Sequence, residues 1–257
     1  MLKSRIIPFL LIHKGALYKT VNFKNPKYIG DPINAVRIFN EMEVDELVLL
    51  DIDSSQNKTG INYGLIEKLA KECRMPLCYG GGIRNIHQIN KIITLGVEKV
   101  SISSGLILNP NLVKEAVRDV GSQSIVGVID VKKVGILNQK YKVFINNGKK
   151  STDLEPKKLA IELENLGVGE LVINSIDKDG TLDGYDYELI DSIFNSVNIP
   201  ITILGGAKSY SELALANKKY EIIGLGGGSI FVLHGKYRAV LISYPDYLEK
   251  SKILFYK

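Results

Sequence analysis

The stretch EVDELV at residues 43–48 returns as GVGELV at residues 167–172, and GGGI at residues 80–83 returns as GGAK at residues 205–208. The two recurrences have offsets of 124 and 125 residues, so they belong to one repeat that covers about half of the chain. A repeat of this length predicts two similar structural halves, each built from several secondary-structure elements.

Short apolar segments rich in β-formers alternate with longer amphipathic segments on both sides of these motifs, which is typical of βα units around a parallel sheet. The predicted strands span Arg5–Ile12, Glu46–Asp51, Met75–Tyr79, Lys99–Ser103, Ser124–Asp130, Glu170–Asn174, Ile199–Leu204 and Glu221–Leu225. The predicted helices span Pro32–Met42, Tyr63–Glu72, Ile86–Leu95, Pro110–Val120, Pro156–Leu166, Tyr187–Phe194 and Ser209–Asn217. Eight βα units in 257 residues predict an α/β fold, a (βα)8 TIM barrel made of two half barrels, as a single domain over residues 1–257.

Two stretches interrupt the alternation. Residues 13–30 are basic and lack clear periodicity, so the first βα connection is predicted to be a mobile loop. Residues 131–150 alternate polar and apolar side chains around turn residues, which predicts a small β-hairpin inserted after the fifth strand. Because both stretches follow strand ends, we expect them on one face of the barrel.

The composition excludes several classes of protein. With 45% hydrophobic and 24% charged residues, the chain has the balance of an ordinary globular protein. The longest apolar run, Ile222–Leu233, is interrupted by four glycines and falls short of the ~20 residues that cross a bilayer, so no membrane partner is predicted. The net charge of +5 comes mainly from dispersed lysines, a pattern that suits small anionic ligands and predicts no nucleic-acid partner.

Cysteine and histidine are scarce and scattered. Cys73 and Cys78 do not have the spacing of a zinc pair or of a redox Cys-x-x-Cys motif, which predicts a cytoplasmic protein. His13, His87 and His234 form no metal-ligand cluster in the sequence, so they are interpreted as surface or packing residues. No metal and no cofactor are predicted.

Glycine and serine recur where the repeat predicts turns. Glycine-rich turns that include Gly82 and Gly206 follow the third and seventh strands, and they leave backbone N–H groups free for a ligand. The next strand in each half adds residues at the start of a helix, where an anion is favoured: Ser103 and Ser104, Gly228 and Ser229. Two phosphate sites are predicted, and the alternative is that the glycines only permit tight turns.

Charged residues are expected at both ends of the barrel. Asp130 ends the fifth strand, where a carboxylate points into the mouth of a TIM barrel as a general acid or base, the alternative being a loop cap. The turn at Asp179 and Gly180 brings backbone N–H groups to a phosphate or is ordinary turn chemistry. Four strand starts carry charges that converge at the opposite end, and pattern alone favours an ion network there: Arg5, Glu46, Lys99 and Glu170.

Several longer strings go further than these patterns: MLKSRIIPFL at residues 1–10, DELVLLDI at 45–52, GGGIRN at 80–85, KVSISS at 99–104 and GVGELVINSIDKDGTLDGYD at 167–186. On these strings the chain resembles, from end to end, the cyclase subunit family of imidazole glycerol phosphate synthase (HisF), which is a doubled (βα)8 barrel. The resemblance implies that a glutaminase docks on the amino-terminal face of the barrel and that ammonia passes through the interior to a ligand with two phosphates.

The resemblance also implies roles for individual residues. Arg5, Glu46, Lys99 and Glu170 match the ammonia gate, and the resemblance replaces the ion-network interpretation. Asp130 matches one of two catalytic aspartates, and Lys19 matches a residue of the mobile loop. The matching phosphate contacts are Gly82, Ser104, Asp179, Gly180, Gly206 and Ser229.

The mouth departs from the family pattern at several positions. The second catalytic aspartate is expected at position 11, where this chain has Leu11. Ser103, Asn174 and Leu204 stand where the family has Asn, Thr and Ser. Since leucine neither accepts nor donates a proton, we expect a diverged paralogue that conducts ammonia without closing the imidazole ring.

Three functions follow from the resemblance. The first is an ammonia-channelling subunit that works with a HisH-like glutaminase and supplies a further amidotransferase, which converts a sugar acetamido group in surface polysaccharide synthesis. The alternative is the imidazole glycerol phosphate synthase cyclase, a lyase of histidine biosynthesis. A binding or scaffold subunit without ammonia flux is the third.

Overall fold

The computed structural model describes residues 3–54, 60–135, 137, 139–220 and 223–255. The strands in chain order are β1 (Arg5–His13), β2 (Ala16–Val21), β3 (Lys24–Gly30), β4 (Leu47–Asp51), β5 (Leu77–Gly80), β6 (Lys99–Ile102), β7 (Ile125–Val134), β8 (Lys140–Ile145), β9 (Lys150–Ser151), β10 (Glu170–Ser175), β11 (Ile201–Leu204), β12 (Gly224–Gly227), β13 (Leu233–His234) and β14 (Ala239–Val240). The helices are α1 (Pro32–Glu41), α2 (Tyr63–Glu72), α3 (Ile86–Thr94), α4 (Ser104–Leu108), α5 (Asn111–Val120), α6 (Pro156–Asn165), α7 (Tyr187–Phe194), α8 (Tyr210–Tyr220), α9 (Ser229–Val232) and α10 (Tyr247–Leu254).

Eight parallel strands form a closed barrel. Strands β1, β4, β5, β6 and β7 are successive parallel neighbours, and so are β10, β11 and β12. The pairs β7–β10 and β12–β1 join the two sets into a cylinder. The predicted (βα)8 TIM barrel with two half barrels is thereby confirmed, and the carboxyl ends of all eight strands meet at one opening.

Local sequence signals explain where the outer helices begin. Helix α1 has Pro32 in its first turn, and the Asp31 side chain caps it by accepting a hydrogen bond from the Asn34 backbone N–H. Helix α3 begins with a capping box in which Asn85 and Gln88 satisfy each other's backbone N–H groups. The apolar sides of these helices pack against the barrel and bury the larger of two hydrophobic clusters.

The second hydrophobic cluster fills the interior of the barrel. Its members point inward from alternate positions of the strands, as in other small barrels whose interior is packed: Ile7, Phe9, Val48, Cys78, Val126, Val128 and Val172. The middle of the barrel interior is therefore apolar.

The segment over residues 13–30, predicted as a mobile loop, contains the β-hairpin of β2 and β3. Strand β2 pairs antiparallel with both β1 and β3. The tight connection needs a left-handed backbone at Asn22 and Phe23, with φ of 51° and 62°, and no alternation in sequence announces it. Mobility of this hairpin stays a prediction.

Three further segments can be compared with the sequence-based expectations. Within residues 131–150, where a hairpin is predicted, β7 continues to Val134 and pairs antiparallel with β8. The eighth barrel strand runs over Gly224–Gly227, while Glu221 and Ile222 of the predicted strand lie outside the described residues. Helix α10 has no counterpart in the sequence-based assignment. Across the described ranges, no helix combines the length and apolarity needed to cross a membrane.

Candidate functional site

A cavity of about 680 Å³ opens at the carboxyl ends of the barrel strands. This volume lies in the range of small-molecule sites. The residues predicted for catalysis, phosphate binding and the loop all line this cavity: Lys19, Gly82, Ser103, Ser104, Asp130, Asp179, Gly180, Gly206, Gly228 and Ser229. The structure therefore brings the sequence-predicted residues of the mouth together.

Asp130 is buried in the wall of this mouth and is held by two neutral donors. Its Oδ1 accepts a hydrogen bond of 2.8 Å from Asn174 Nδ2, and its Oδ2 accepts one of 3.1 Å from the Ser103 hydroxyl. Burial raises the pKa of Asp130 to about 6; the two hydrogen bonds oppose this shift and the nearby charge of Asp179 adds to it. A carboxyl with this pKa exchanges its proton near neutral pH, as a general acid or base requires.

The wall on β1 is apolar where the family pattern has a second acid. Leu11 lines the mouth and pairs in register with Leu50 on β4. Asp130 pairs in the same way with Asn174 on β10, and Asn174 pairs with Leu204 on β11. Asp130 on β7 therefore has a hydrogen-bonding register neighbour, whereas Leu11 on β1 has an aliphatic one.

The glycine-rich turns of both halves contain glycines with positive φ. Gly82 has φ of 70° and Gly206 has φ of 101°, both in the left-handed region that favours glycine. A Cβ on Gly82 would lie 2.7 Å from the Ser54 Cβ, and one on Gly206 would lie 2.2 Å from the Gly184 carbonyl oxygen. Tight packing is thus sufficient to explain these glycines, and phosphate binding by them stays a prediction.

The serines of the predicted phosphate sites have different surroundings. The Ser104 hydroxyl accepts a hydrogen bond of 2.9 Å from the Asn146 backbone N–H, whereas the Ser229 hydroxyl is buried without a partner among the described residues. Ser103 donates to Asp130. The three hydroxyls thus differ in their contacts, and phosphate binding by Ser104 and Ser229 stays a prediction.

Lys19 ties the β2–β3 hairpin to the loop that follows β10. Its ammonium lies 2.6 Å from Asp179 Oδ1, and the Thr20 hydroxyl donates to Asp179 Oδ2 over 3.0 Å. The Lys19 stem runs along Gly228, since a Cβ there would lie 2.8 Å from Lys19 Cε. The sequence offers no signal for the Lys19–Asp179 pair beyond opposite charges 160 residues apart.

At the amino-terminal end of the barrel, four charged side chains form a closed ring. Arg5 bonds Glu46 and also Glu170, the latter over 2.8 Å. Lys99 Nζ lies 2.9 Å from Glu46 Oε2 and 3.0 Å from Glu170 Oε2. The ring alternates in sign, so it seals the end of the barrel with no net charge.

Electrostatics within the ring favours the charged forms. Burial acts to raise the pKa of Glu170, but the charges of Arg5 and Lys99 and a 2.6 Å hydrogen bond from the Thr202 hydroxyl outweigh burial and lower it. Burial likewise acts to lower the pKa of Lys99, and the two glutamates raise it. The opposite charges of the ring thus favour the ionised forms of Glu170 and Lys99.

A cavity of about 10 Å³ lies between the ring and the interior cluster. Its lining includes Glu46 and Glu170 of the ring together with Ser101 and Phe9, which also line the mouth. A space of this size holds about one water-sized molecule. The charged ring, the small cavity and the mouth therefore follow one another along the inside of the barrel.

Fold and site together define a duplicated (βα)8 barrel with a carboxylate mouth at one end and a charge ring at the other. The chain belongs to the histidine biosynthesis protein family, whose sequence model matches residues 5–237. This finding confirms the resemblance to the HisF group of barrels.

Several relatives resemble the chain over nearly its whole length. A protein of Leptospira interrogans named "Putative imidazole glycerol phosphate synthase subunit HisF" is 48% identical over 256 residues, which is 100% of both chains. A Pseudomonas aeruginosa protein named as subunit hisF2 of the same synthase is 48% identical over 246 residues, 96% of this chain and 97% of its own. The "Imidazole glycerol phosphate synthase subunit HisF" of Hydrogenobaculum sp. is 40% identical over 231 residues, 90% of this chain and 91% of its own.

Proposed function

We propose that the chain is the ammonia-using barrel subunit of a glutamine-dependent synthase, and that it acts on a small phosphorylated ligand in the mouth beside Asp130. The observation that carries this proposal is the arrangement of charge ring, small cavity and mouth along the inside of one barrel. The names of the relatives support the cyclase of imidazole glycerol phosphate synthase better than sugar amidation, since none of these names mentions a polysaccharide.

Glutamine hydrolysis is assigned to a separate subunit. The chain has two cysteines, and neither is suited to be a nucleophile. Burial raises the pKa of Cys73 to about 11, and burial together with the Glu46 charge raises the pKa of Cys78 still further above its usual range. A HisH-like glutaminase on the amino-terminal face would release ammonia next to the ring.

In the cyclase reaction, Asp130 would be the proton-exchanging group of the mouth. Its pKa of about 6 lets it take and return a proton at neutral pH. The serines and glycine turns at both sides of the mouth would hold the phosphates through hydroxyl and backbone N–H groups.

A second candidate rests on one observation, which is Leu11 in the position of the second acid. Removing a positioned acid or base commonly lowers a rate ~10²–10⁴-fold. In this candidate the barrel conducts ammonia to another acceptor, such as the acetamido group of a sugar for surface polysaccharide, handled by a further amidotransferase.

Turnover of the ribulosyl-aminoimidazole substrate of the cyclase separates the two candidates. The rate is measured with ammonia for the purified wild-type protein and for the Leu11→Asp variant. Leu50→Asp is the matched control, because Leu50 is the register neighbour of Leu11 on β4. The cyclase candidate predicts turnover within about tenfold of the Hydrogenobaculum relative and complementation of a histidine auxotroph. The second candidate predicts a rate at least ~10²-fold lower, raised in part by Leu11→Asp and not by Leu50→Asp.

A further inference from the structure

We propose that Asn174 is a positioning residue for Asp130, and that Asn174 and Ser103 form a clamp of two neutral donors which fixes this carboxylate for proton exchange with the ligand. The inference rests on the proposed function in one respect, which is that Asp130 exchanges a proton with the ligand. The clamp itself is a property of the folded chain, so its test does not depend on turnover.

The clamp reaches Asp130 from both neighbouring strands. Asn174 on β10 lies directly beside Asp130 on β7 in the parallel register, and its amide spans the 2.8 Å to Oδ1. Ser103 follows β6, the neighbour on the other side, and its hydroxyl reaches Oδ2 over 3.1 Å. Since each oxygen has its own donor, rotation of the carboxylate about its last bond breaks both hydrogen bonds.

The buried amide of Asn174 has no other hydrogen bond among the described residues. Asn174 is 4% exposed, and its Oδ1 lacks a partner there while its Nδ2 bonds Asp130. Buried amides that serve packing are normally satisfied at both ends, because an unpaired buried acceptor destabilises the fold. The side chain therefore has one polar role in the described structure, which is to donate to Asp130.

Neutral donors have a different effect from a basic partner. A lysine or arginine beside Asp130 would lower its pKa and weaken it as a base. The charged neighbour that acts on Asp130, Asp179, is itself paired with Lys19, and burial keeps the pKa of Asp130 at about 6. The clamp thus orients the carboxylate and leaves it able to change protonation state near neutral pH.

The test measures the titration of Asp130 by carbon-13 NMR of labelled aspartate carboxyl groups, with Asp130→Asn for assignment. Asn174→Leu removes the donor at nearly constant volume, and we expect the Asp130 midpoint to rise by about one unit because its ionised form loses a hydrogen bond. Ser103→Ala should also raise the Asp130 midpoint. Asn174→Thr, which keeps a hydroxyl donor, should have a midpoint within about half a unit of the wild type.

Asn217→Leu is the matched control, because Asn217 is a comparably buried asparagine whose amide bonds the carbonyl of Ile253. It should lower stability and leave the Asp130 midpoint in place. A midpoint unchanged by Asn174→Leu, or moved equally by Asn217→Leu, would overturn the clamp. If Asn174→Leu does not fold, Ser103→Ala and Asn174→Thr decide the question, and no shift in Ser103→Ala then refutes it.

The pH dependence of turnover separates the clamp from the proposed function. Where the barrel turns over a ligand through Asp130, the acid limb of its rate profile should move with the NMR midpoint in Asn174→Leu. A shifted midpoint in a protein without ammonia-dependent turnover would refute the proposed function and leave the clamp standing. A moved rate profile with an unmoved midpoint would refute the clamp alone.

Discussion

Replacing Lys99 by methionine should destabilise the protein in a way that depends on pH. The ring then keeps two carboxylates, Glu46 and Glu170, with Arg5 as their single cation. Methionine preserves most of the side-chain volume, so the change is mainly one of charge. At neutral pH the end of the barrel would carry one uncompensated negative charge.

The size of the effect follows from burial and from the remaining bonds. Removing one partner of a buried ion pair costs ~3–5 kcal/mol. Lys99 is 18% exposed, and Glu170 retains its bonds to Arg5 and Thr202, so we expect a smaller loss, about 2 kcal/mol, in the free energy of unfolding at pH 7. In a chain of this length such a loss lowers Tm by roughly 4–8 °C.

The sign of the pH dependence comes from Glu170. Arg5 and Lys99 lower its folded-state pKa against the effect of burial, so its ion pairs stabilise the fold above the unfolded pKa of ~4.3 and are lost as the pH falls through the folded value. Without Lys99 this contribution shrinks. The difference between the variant and the wild type should therefore be largest near pH 7 and decrease below about pH 4.

Urea unfolding at pH 7 and at pH 3.5 measures this difference, with Lys71→Met as the matched control. Lys71 also pairs with a glutamate, Glu67, but it is 73% exposed and should change stability little. Equal losses for the two variants, or a Lys99→Met loss that persists unchanged in acid, would refute the electrostatic account of the ring. In the complex with a glutaminase, Lys99→Met should also let ammonia escape, so that more glutamate forms than aminated product.

Three other perturbations test other parts of the structure. Gly180→Ala should lower Tm more than Gly15→Ala. Both glycines have positive φ, but only at Gly180 would a Cβ lie 2.1 Å from a backbone atom, the Thr20 carbonyl oxygen of strand β2. Equal losses of Tm in the two variants would contradict the packing seen at Gly180. In native protein at pH 8, Cys78 should resist a thiol reagent and Cys73 should react slowly, since burial raises the pKa of both thiols, while denaturant should expose both; immediate labelling of the native chain would be the opposite result. In the wild type, stability should fall as the pH rises from about 4 to about 6, because a carboxyl whose folded pKa is raised binds its proton more tightly in the native state. Asp130→Asn should remove this fall. If urea titrations of the variant keep the wild-type slope, the assignment to Asp130 is wrong.

The barrel could be predicted from sequence because its signals are local and repeated. Each βα unit has an apolar run followed by a helix start, such as Asp31–Pro32 before α1, and the repeat fixes how the units are grouped. The predicted range of the eighth barrel strand differs by a few residues from the observed Gly224–Gly227, because glycines have no side chains from which an alternating pattern could be read. The β2–β3 hairpin was missed because its turn depends on left-handed Asn22 and Phe23, conformations that these residue types only sometimes adopt.

The mouth was predictable in position but not in its contacts. Asp130 and the glycine turns stand at strand ends, so the fold alone brings them together. The pairing of Lys19 with Asp179, and of Asn174 and Ser103 with Asp130, depends on strand register and side-chain rotamers between residues 27 to 160 positions apart. No spacing rule along the chain encodes such contacts, so they required the structure.

Leu11 and Asp130 stand at corresponding places in the two halves, since their register neighbours Leu50 and Asn174 are related by the internal repeat. A molecule with a phosphate at each end can lie across a duplicated mouth in either of two directions. In one direction its reacting atoms would face Asp130, and in the reversed direction they would face Leu11. For such a ligand the reversed complex lowers kcat and KM by the same factor, so kcat/KM alone reports the productive direction.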